Sequence, residues 1–300
     1  MTYSREQFIN KKKLLIIGGD SLIGNYLWSI LENKSLVFRT SKFNDNSSEN
    51  IIKFIIGSDN SKKLICINPD VIIICAGITN IKECEINSLN SWNINVKSTV
   101  ELSNEFLNSG KFVIFLSSNA VFNGNILHPS EYEEYSPVNE YGRQKVATEV
   151  LLKENPNSIK KLSIIRLTKV INNNKGFIAD IAIELMNKQK IKALVDLNLS
   201  PISLNFIGRS IFKIIENNYS GVFHLAGEEN LSYYEFAKLI EDKLHGSNIL
   251  VEPVYSNNLN KNQILPPKYS SLGMINTFYN LGIEPEPLED SLKNFIVNLI

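Results

Sequence analysis

Tyr141 and Lys145 place a phenol and an ammonium four residues apart in the segment NEYGRQKVATEVLLKE, about one turn of an α-helix. Val146, Val150 and Leu151 follow at helical spacing, so the two polar groups should share a face. A free phenol titrates near pH ~10 and is a poor acid or base at neutrality, but a neighbouring cation favours its ionised form. A Tyr–Lys pair can then trade a proton with a sugar hydroxyl or a carbonyl oxygen. The same spacing also fits an ordinary solvated helix, so its meaning depends on the rest of the chain.

Other groups capable of chemistry lie close by in sequence. The run KFVIFLSS ends in two hydroxyls, Ser117 and Ser118. Adjacent side chains on a strand point to opposite faces, so only one of them can reach a common site. His128 falls in a loop on the approach to the Tyr–Lys helix and is a candidate substrate contact. His224, in VFHLA, reads as a hydrogen-bonded core histidine, and Arg209 as a surface cation. The cysteines, Cys66, Cys75 and Cys84, fit no common zinc spacing. Cys75 reads as a buried thiol within an apolar strand. No structural metal is expected.

The elements that must position these groups alternate from the start of the chain. KLLIIG runs into the helical pattern Leu22, Ile23, Tyr26, Leu27 and Ile30. SLVFRT, NIIKFII, VIIICAG, KFVIFLSS, KLSIIRLT and GVFHLAG follow as apolar runs separated by polar or helical sequence, with one long helix expected over Asn87–Asn108. Continuous apolar strands between helices predict a parallel sheet covered on both faces, a doubly wound α/β fold. After Val170 the pattern is less regular: a helix over Ile178–Lys188, short strands around IKALVD and LNLSPIS, and a helix-starting capping box at Ser232 and Glu235. A last helix carries Leu288, Leu292, Phe295, Ile296 and Leu299 on one stripe. The expected division is a dinucleotide-binding unit over residues 1–169, with 201–228 returning to it, and a substrate lobe over 170–300.

The first strand runs into Gly18-Gly19-Asp20-Ser21-Leu22-Ile23-Gly24. Glycines at such a turn let backbone approach a pyrophosphate seated at a helix N-terminus. Gly18, Ser21, Leu22, Ile23 and Gly24 are therefore candidate cofactor contacts. A third glycine would be expected at position 21; whether Ser21 donates to a phosphate or crowds it is open at this point. The second strand ends Arg39-Thr40-Ser41-Lys42 without the acid that would bind a ribose diol. Arg39, Ser41 and Lys42 instead suit a 2′-phosphate, which favours NADP(H) over NAD(H). Ala76, Gly77 and Thr79, past the fourth strand, are further cofactor candidates.

Composition excludes several function classes. Lys+Arg and Asp+Glu balance at 31 each, so no basic field invites nucleic acid. The longest apolar runs fall far short of the ~20 residues a membrane span requires. No signal-peptide h-region follows the basic N-terminal stretch. A reduced, cytoplasmic protein is expected.

With these pieces in place, the chain resembles the extended short-chain dehydrogenase/reductase superfamily, and within it the dTDP-4-dehydrorhamnose reductases and related sugar-nucleotide reductases. The resemblance runs from about Lys13 to Ile296 and is carried in order by PDVIIICAGITNIKECE, Asn95-Val96, LSSNAVFNG, YSPVNEYGRQK, GVFHLAGEENLSYYEFAKLI and PPKYSSLGMINTFYNLG. It implies a Rossmann-type sheet, a nicotinamide cofactor, and a catalytic trio of Ser118, Tyr141 and Lys145. It also implies substrate contacts at Asn119, Val121, Phe122 and His128. Tyr141 would protonate a keto oxygen of a nucleotide-linked 6-deoxyhexose, Lys145 would hold the nicotinamide ribose and lower the phenol's pKa, and Ser118 would orient the carbonyl, in the service of surface polysaccharide. A homodimer through the Asn87–Asn108 and Tyr–Lys helices is a candidate assembly. Three departures stand out: Ser21 in the glycine turn, Asn119-Ala120 where the family tends to have Asp-Tyr, and Lys169-Val170-Ile171 where it tends to have Trp-Val-Tyr. The alternatives are an epimerase or dehydratase of the same superfamily, or a non-catalytic nucleotide-binding regulatory subunit.

Overall fold

The apolar runs Leu14–Ile17, Val71–Ile74 and Phe112–Leu116 are buried along their whole lengths, as strands must be when helices cover both faces of their sheet. The computed structural model describes residues 12–32, 36–43, 48–171, 177–246, 249–258 and 265–297. Its central sheet contains β1 (Lys13–Ile17), β2 (Leu36–Ser41), β3 (Ile51–Lys53), β4 (Val71–Ile74), β5 (Phe112–Ser118), β6 (Leu162–Leu167) and β7 (Gly221–Leu225). The seven strands lie in the order β3-β2-β1-β4-β5-β6-β7, and every pairing is parallel. The chain leaves β1 toward β2 and β4 toward β5, so these two neighbouring strands feed opposite halves of the sheet and open a crevice beyond their C-terminal ends.

Helices α1 (Leu22–Leu31), α2 (Thr99–Asn108), α3 (Glu140–Lys153) and α4 (Leu204–Asn217) cover this sheet. Leu27, Trp28 and Leu31 of α1 and Phe206, Ile207, Ile211 and Ile214 of α4 pack with Leu14, Ile16, Ile114 and Leu116 on one face. Leu102, Phe106 and Leu107 of α2 and Leu152 of α3 pack with Leu15, Ile17, Val113 and Phe115 on the other. Each fully buried aliphatic or aromatic side chain of this kind contributes about 1.5–3 kcal/mol. A third cluster lies outside the sheet: Ile178, Ile181, Leu185, Ile191, Val251, Leu292 and Phe295 close around Phe236 and Ile240 of α5 (Tyr233–His245). The capping box that starts α5 is formed, with the Glu235 amide donating to Ser232 Oγ at 3.0 Å and the Ser232 amide donating to Glu235 at 2.8 Å.

Three expectations are corrected. The single helix over Asn87–Asn108 is broken into Ser88–Trp92, a π-helical stretch Asn93–Ser98, and α2. The wider turn frees carbonyls, and hydroxyls take them: Thr99 Oγ1 donates to Ile94 O and Thr148 Oγ1 to Asn95 O, both at 2.8 Å. NIIKFII forms only the three-residue β3, because the chain turns at Ile55, whose carbonyl accepts the Ser58 and Asp59 amides and whose amide donates to Asp59 at 2.8 Å. Cys75 follows the last residue of β4 instead of lying within it, but its thiol is buried as expected: it packs against the core, and burial pushes the thiol up to about 12. Of the stripe expected on the last helix, Leu288, Leu292 and Phe295 join the third cluster. Leu299 and the Ile296 side chain lie outside the described residues. Among the described residues no helix is long and apolar enough to cross a membrane.

Candidate active site

Ser118 is the last residue of β5, and its hydroxyl caps the short 3₁₀ turn Asn119–Val121 by accepting the Ala120 amide at 3.2 Å. Helix α3 begins beside that turn, capped by Asn139, whose side chain accepts the Gly142 amide at 2.8 Å. A Cβ at Gly142 would fall 2.2 Å from Ala120 O, so only glycine lets the helix start this close. That approach brings the buried Tyr141 phenol beside the Ser118 hydroxyl, which opposes the rise of its pKa. Ser117 faces the other way and donates to Glu149 at 2.5 Å. Of the two serines, Ser118 is thus the one beside Tyr141, as strand alternation requires.

Lys145, one turn on, is 6% exposed and donates to Leu116 O at 2.8 Å. Its ammonium lies 4.5 Å from the Phe115 ring centroid and 5.7 Å from that of Tyr141. Burial holds its pKa down at about 8, opposed chiefly by the Glu149 carboxylate. The Tyr141 phenol is pushed up to about 12 by burial, opposed by the Ser118 hydroxyl. The expectation that Lys145 lowers the phenol's pKa is therefore corrected: with the ammonium turned to a strand carbonyl, burial wins and Tyr141 is a protonated acid.

The glycine turn resolves the question of Ser21. Its hydroxyl turns inward and caps α1, accepting the Gly24 amide at 3.1 Å with the backbone at φ −73°. The first two amides of the helix, those of Leu22 and Ile23, remain the ones a helix leaves without internal partners. Gly18, at φ +85°, lies so close to β4 that a Cβ would sit 2.5 Å from Ala76 N. Ala76 and Gly77 thus border the turn, and Asn95 holds the loop beyond them by accepting the Ile78 amide at 2.8 Å and donating to Ile78 O at 2.9 Å. Thr79 is exposed on that loop. The open helix N-terminus and the close Gly18–Ala76 approach fit a dinucleotide pyrophosphate.

At the end of β2 the structure adds a residue that the sequence reading overlooked. Asp20, from the glycine turn, accepts the Ser41 hydroxyl at 3.1 Å and the Lys42 amide at 2.8 Å. Ser41 therefore has its hydroxyl engaged. Arg39 packs against Gly19, stacks on Trp28 at 5.1 Å and donates to Asn25 at 3.1 Å. Lys42 is exposed over Phe43.

The substrate-side candidates separate. Asn119 borders Ser118 and donates to Ser270 O at 2.9 Å. Val121 and Phe122 are 0% and 6% exposed and belong to the core beneath the turn, so neither presents a side chain to an open cleft. His128 is exposed in left-handed backbone conformation (φ 53°). Among the described residues no hydrogen bond joins its imidazole to Ser118 or Tyr141. His224 is fully buried between Gly273 O and Arg166, and its pKa is held down at about 3 by burial and the guanidinium. Arg209 is exposed on α4, over Phe206 at 5.0 Å.

Behind the Tyr–Lys pair lies a polar cluster centred on Glu149. Its carboxylate accepts from Ser117, from the Tyr135 hydroxyl at 2.8 Å and from the Arg166 guanidinium at 2.8 Å, with both Glu149 and Arg166 essentially inaccessible. The signal was present in sequence: Tyr141, Lys145, Glu149 and Lys153 recur every four residues, on one helix face.

Comparison with known proteins places this arrangement. A family model described as the RmlD substrate binding domain matches residues 12–300. A dTDP-4-dehydrorhamnose reductase from Aggregatibacter actinomycetemcomitans is 23% identical over 301 residues, covering 94% of this chain and 97% of that protein. The crystal structure of a dTDP-4-dehydrorhamnose reductase from Clostridium acetobutylicum superposes with a TM-score of 0.82 at 25% identity, over 96% of this chain and 99% of that one. The Bacillus anthracis reductase of the same name, solved with NADP, superposes with a TM-score of 0.83 at 23% identity and the same coverage.

Proposed function

As the chain belongs to the RmlD substrate-binding-domain family, we propose that it is an NAD(P)H-dependent reductase of a keto group on a nucleotide-linked 6-deoxyhexose, dTDP-4-dehydrorhamnose in type, serving surface polysaccharide synthesis. The observation that carries this is the juxtaposition of a protonated, buried Tyr141 with the Ser118 hydroxyl and the Lys145 ammonium. When bound, the reduced nicotinamide supplies a hydride to the keto carbon. Ser118 orients the carbonyl oxygen, and Tyr141 donates its proton as charge develops there, a type of assistance worth ~10²–10⁴-fold. Lys145 holds the ribose of the cofactor and keeps a positive charge beside the phenol. Gly18, Leu22, Ile23, Gly24, Ala76 and Gly77 hold the dinucleotide at the crevice mouth. Residues 1–169 with 201–228 form the cofactor unit, and the remainder of 170–300 the sugar-nucleotide lobe.

The proposed cofactor is NADP(H) ahead of NAD(H), on the cations of Arg39 and Lys42. Asp20 limits that preference, because its carboxylate sits where it would face a 2′-phosphate. Asp20→Asn is expected to tighten NADPH binding roughly three- to tenfold, the scale of one like-charge contact in water, and to weaken NADH, whose ribose diol an acid at this strand end would hold. Fluorescence titration of the two cofactors measures both; an unchanged NADPH affinity removes Asp20 from this role.

A second expectation concerns pH. Lys145 is cationic below its depressed pKa of about 8 and neutral above it, while Tyr141, at about 12, stays protonated across this range. kcat/KM reports the free enzyme, so it should fall as pH rises through about 8. A flat profile from one unit below to one unit above would show that the ammonium charge is dispensable.

The three cysteines are free, which suits a reducing compartment, and the proposed location is the cytoplasm. A homodimer is part of the proposal, with the exposed Leu89 and Trp92 (89% and 42%) as apolar surface for it to cover. The deciding experiment is oxidation of NADPH on addition of a dTDP-4-keto-6-deoxyhexose supplied together with its 3,5-epimerase. Sustained oxidation supports the reductase. A chain that binds NADPH and reduces no keto-sugar nucleotide overturns it in favour of a regulatory subunit, and tightly retained NAD in favour of an epimerase.

A further inference from the structure

Ser118 on β5 is the register partner of Leu167 on β6. Partners in a parallel sheet project to the same face. Past Leu167 the chain leaves the central sheet, and Lys169 opens a two-residue strand, Lys169–Val170, that pairs with Pro201–Ile202. Leu167 lies level with Ser118 at the C-terminal edge of the sheet, and Lys169 follows just beyond that edge. The backbone joins them as well. Lys169 N–H donates to Ser200 O at 3.2 Å. Two residues earlier, the Asn198 amide donates to Lys268 O at 3.1 Å and Asn198 O accepts the Ser270 hydroxyl at 3.0 Å. Ser270 O in turn accepts from Asn119, the neighbour of Ser118. A single strap of 198–200 and 268–270 thus holds Lys169 beside the catalytic turn.

The Lys169 side chain is exposed, and among the described residues its ammonium has no carboxylate and no hydrogen-bond acceptor. Yet enough protein surrounds it that desolvation lowers its pKa. Exposed lysines elsewhere do find partners, as Lys190 does with Glu252 at 3.3 Å and Lys153 with Tyr135 at 2.8 Å. A partly desolvated cation without a counter-charge is unfavourable in the free protein. A ligand that brings the missing charge offsets that cost.

We infer that Lys169 is the anion anchor of the substrate cleft, its ammonium taking an anionic oxygen of the nucleotide-linked sugar whose carbonyl meets Ser118 and Tyr141. This rests on the substrate class proposed above. The oxygen belongs either to the diphosphate or to a carboxylate on the sugar, and the two sources separate experimentally. Calorimetry on the full chain with saturating NADPH would compare wild type, Lys169→Gln and Lys169→Arg. The probes are dTDP, UDP, GDP and CDP, the matching nucleosides, and the pair UDP-glucuronate and UDP-glucose.

If the diphosphate is the source, Lys169→Gln weakens the tightest nucleoside diphosphate by roughly tenfold to a hundredfold, the range for one charge-assisted hydrogen bond. Lys169→Arg retains it, and nucleoside affinity is unmoved. If a carboxylate is the source, Lys169→Gln leaves the diphosphates alone and abolishes a wild-type preference for the glucuronate. Affinities unchanged in both arms overturn the inference. A wild-type chain that binds none of the probes overturns the substrate class itself, before any variant is compared.

Discussion

Tyr141→Phe is expected to lower kcat by about 10²–10⁴-fold while NADPH affinity stays within about threefold. The substitution removes one oxygen from a side chain that is 9% exposed, so the packing of α3 against the Asn119–Val121 turn is retained. Its principal consequence is loss of the proton beside the Ser118 hydroxyl. A phenol at about 12 is a donor at neutral pH, the role that reduction of a carbonyl requires. Lys145→Ala should behave differently, lowering turnover and cofactor affinity together, because one ammonium serves both. Stopped-flow oxidation of NADPH with a keto-sugar nucleotide, beside a fluorescence titration of the cofactor, separates the two patterns. A Tyr141→Phe enzyme that turns over like wild type would remove the phenol from the chemistry and leave Ser118 or a bound water as the acid.

The second large effect is on stability. Glu149 and Arg166 are an ion pair with side-chain exposures of 0% and 2%, joined by Ser117, Tyr135 and His224. Taking one partner of such a pair away leaves a buried charge without compensation, at a cost of ~3–5 kcal/mol. Arg166→Met should therefore lower the urea midpoint sharply with little change in the slope. The double variant Arg166→Met, Glu149→Gln, which removes both charges, should recover most of the loss. If the double variant is no more stable than Arg166→Met, the loss comes from packing around the Arg166 side chain and not from the stranded carboxylate. Glu149 also supplies the main charge opposing the depression of the Lys145 pKa. The folded double variant should accordingly lose activity at a lower pH than wild type.

Much of this protein was legible in its residue order because the governing interactions are local. Apolar runs of strand length between helical patterns imply a parallel sheet, since both faces of each strand must be buried. The four-residue spacing of Tyr141 and Lys145 puts them on one face because a helix turns every 3.6 residues. Alternation along β5 makes Ser117 and Ser118 exclusive choices, and the glycine turn after β1 marks a helix N-terminus. The capping box at Ser232 likewise involves residues three apart, and it is formed.

The tertiary structure decided whatever depends on groups distant in sequence. Asp20 reaches the end of β2 only because β1 and β2 are neighbours, so the missing acid at that strand end was supplied from another loop. Asn95 reaches Ile78 and Gln144 through a π-helical turn that no residue pattern announced. Burial set the direction of both pivotal pKa values, raising Tyr141 and lowering Lys145, whereas the sequence offered only their proximity to each other. Val121 and Phe122 follow Ser118 closely, yet the turn carries them into the core. Lys169 stood in the sequence as a departure from a family pattern, and only the hydrogen bonds of the 198–200 and 268–270 strap tie it to the turn after Ser118. Periodicity along a chain specifies which face a side chain takes; which other segment meets that face, and how much water remains there, is fixed by the packing of the whole.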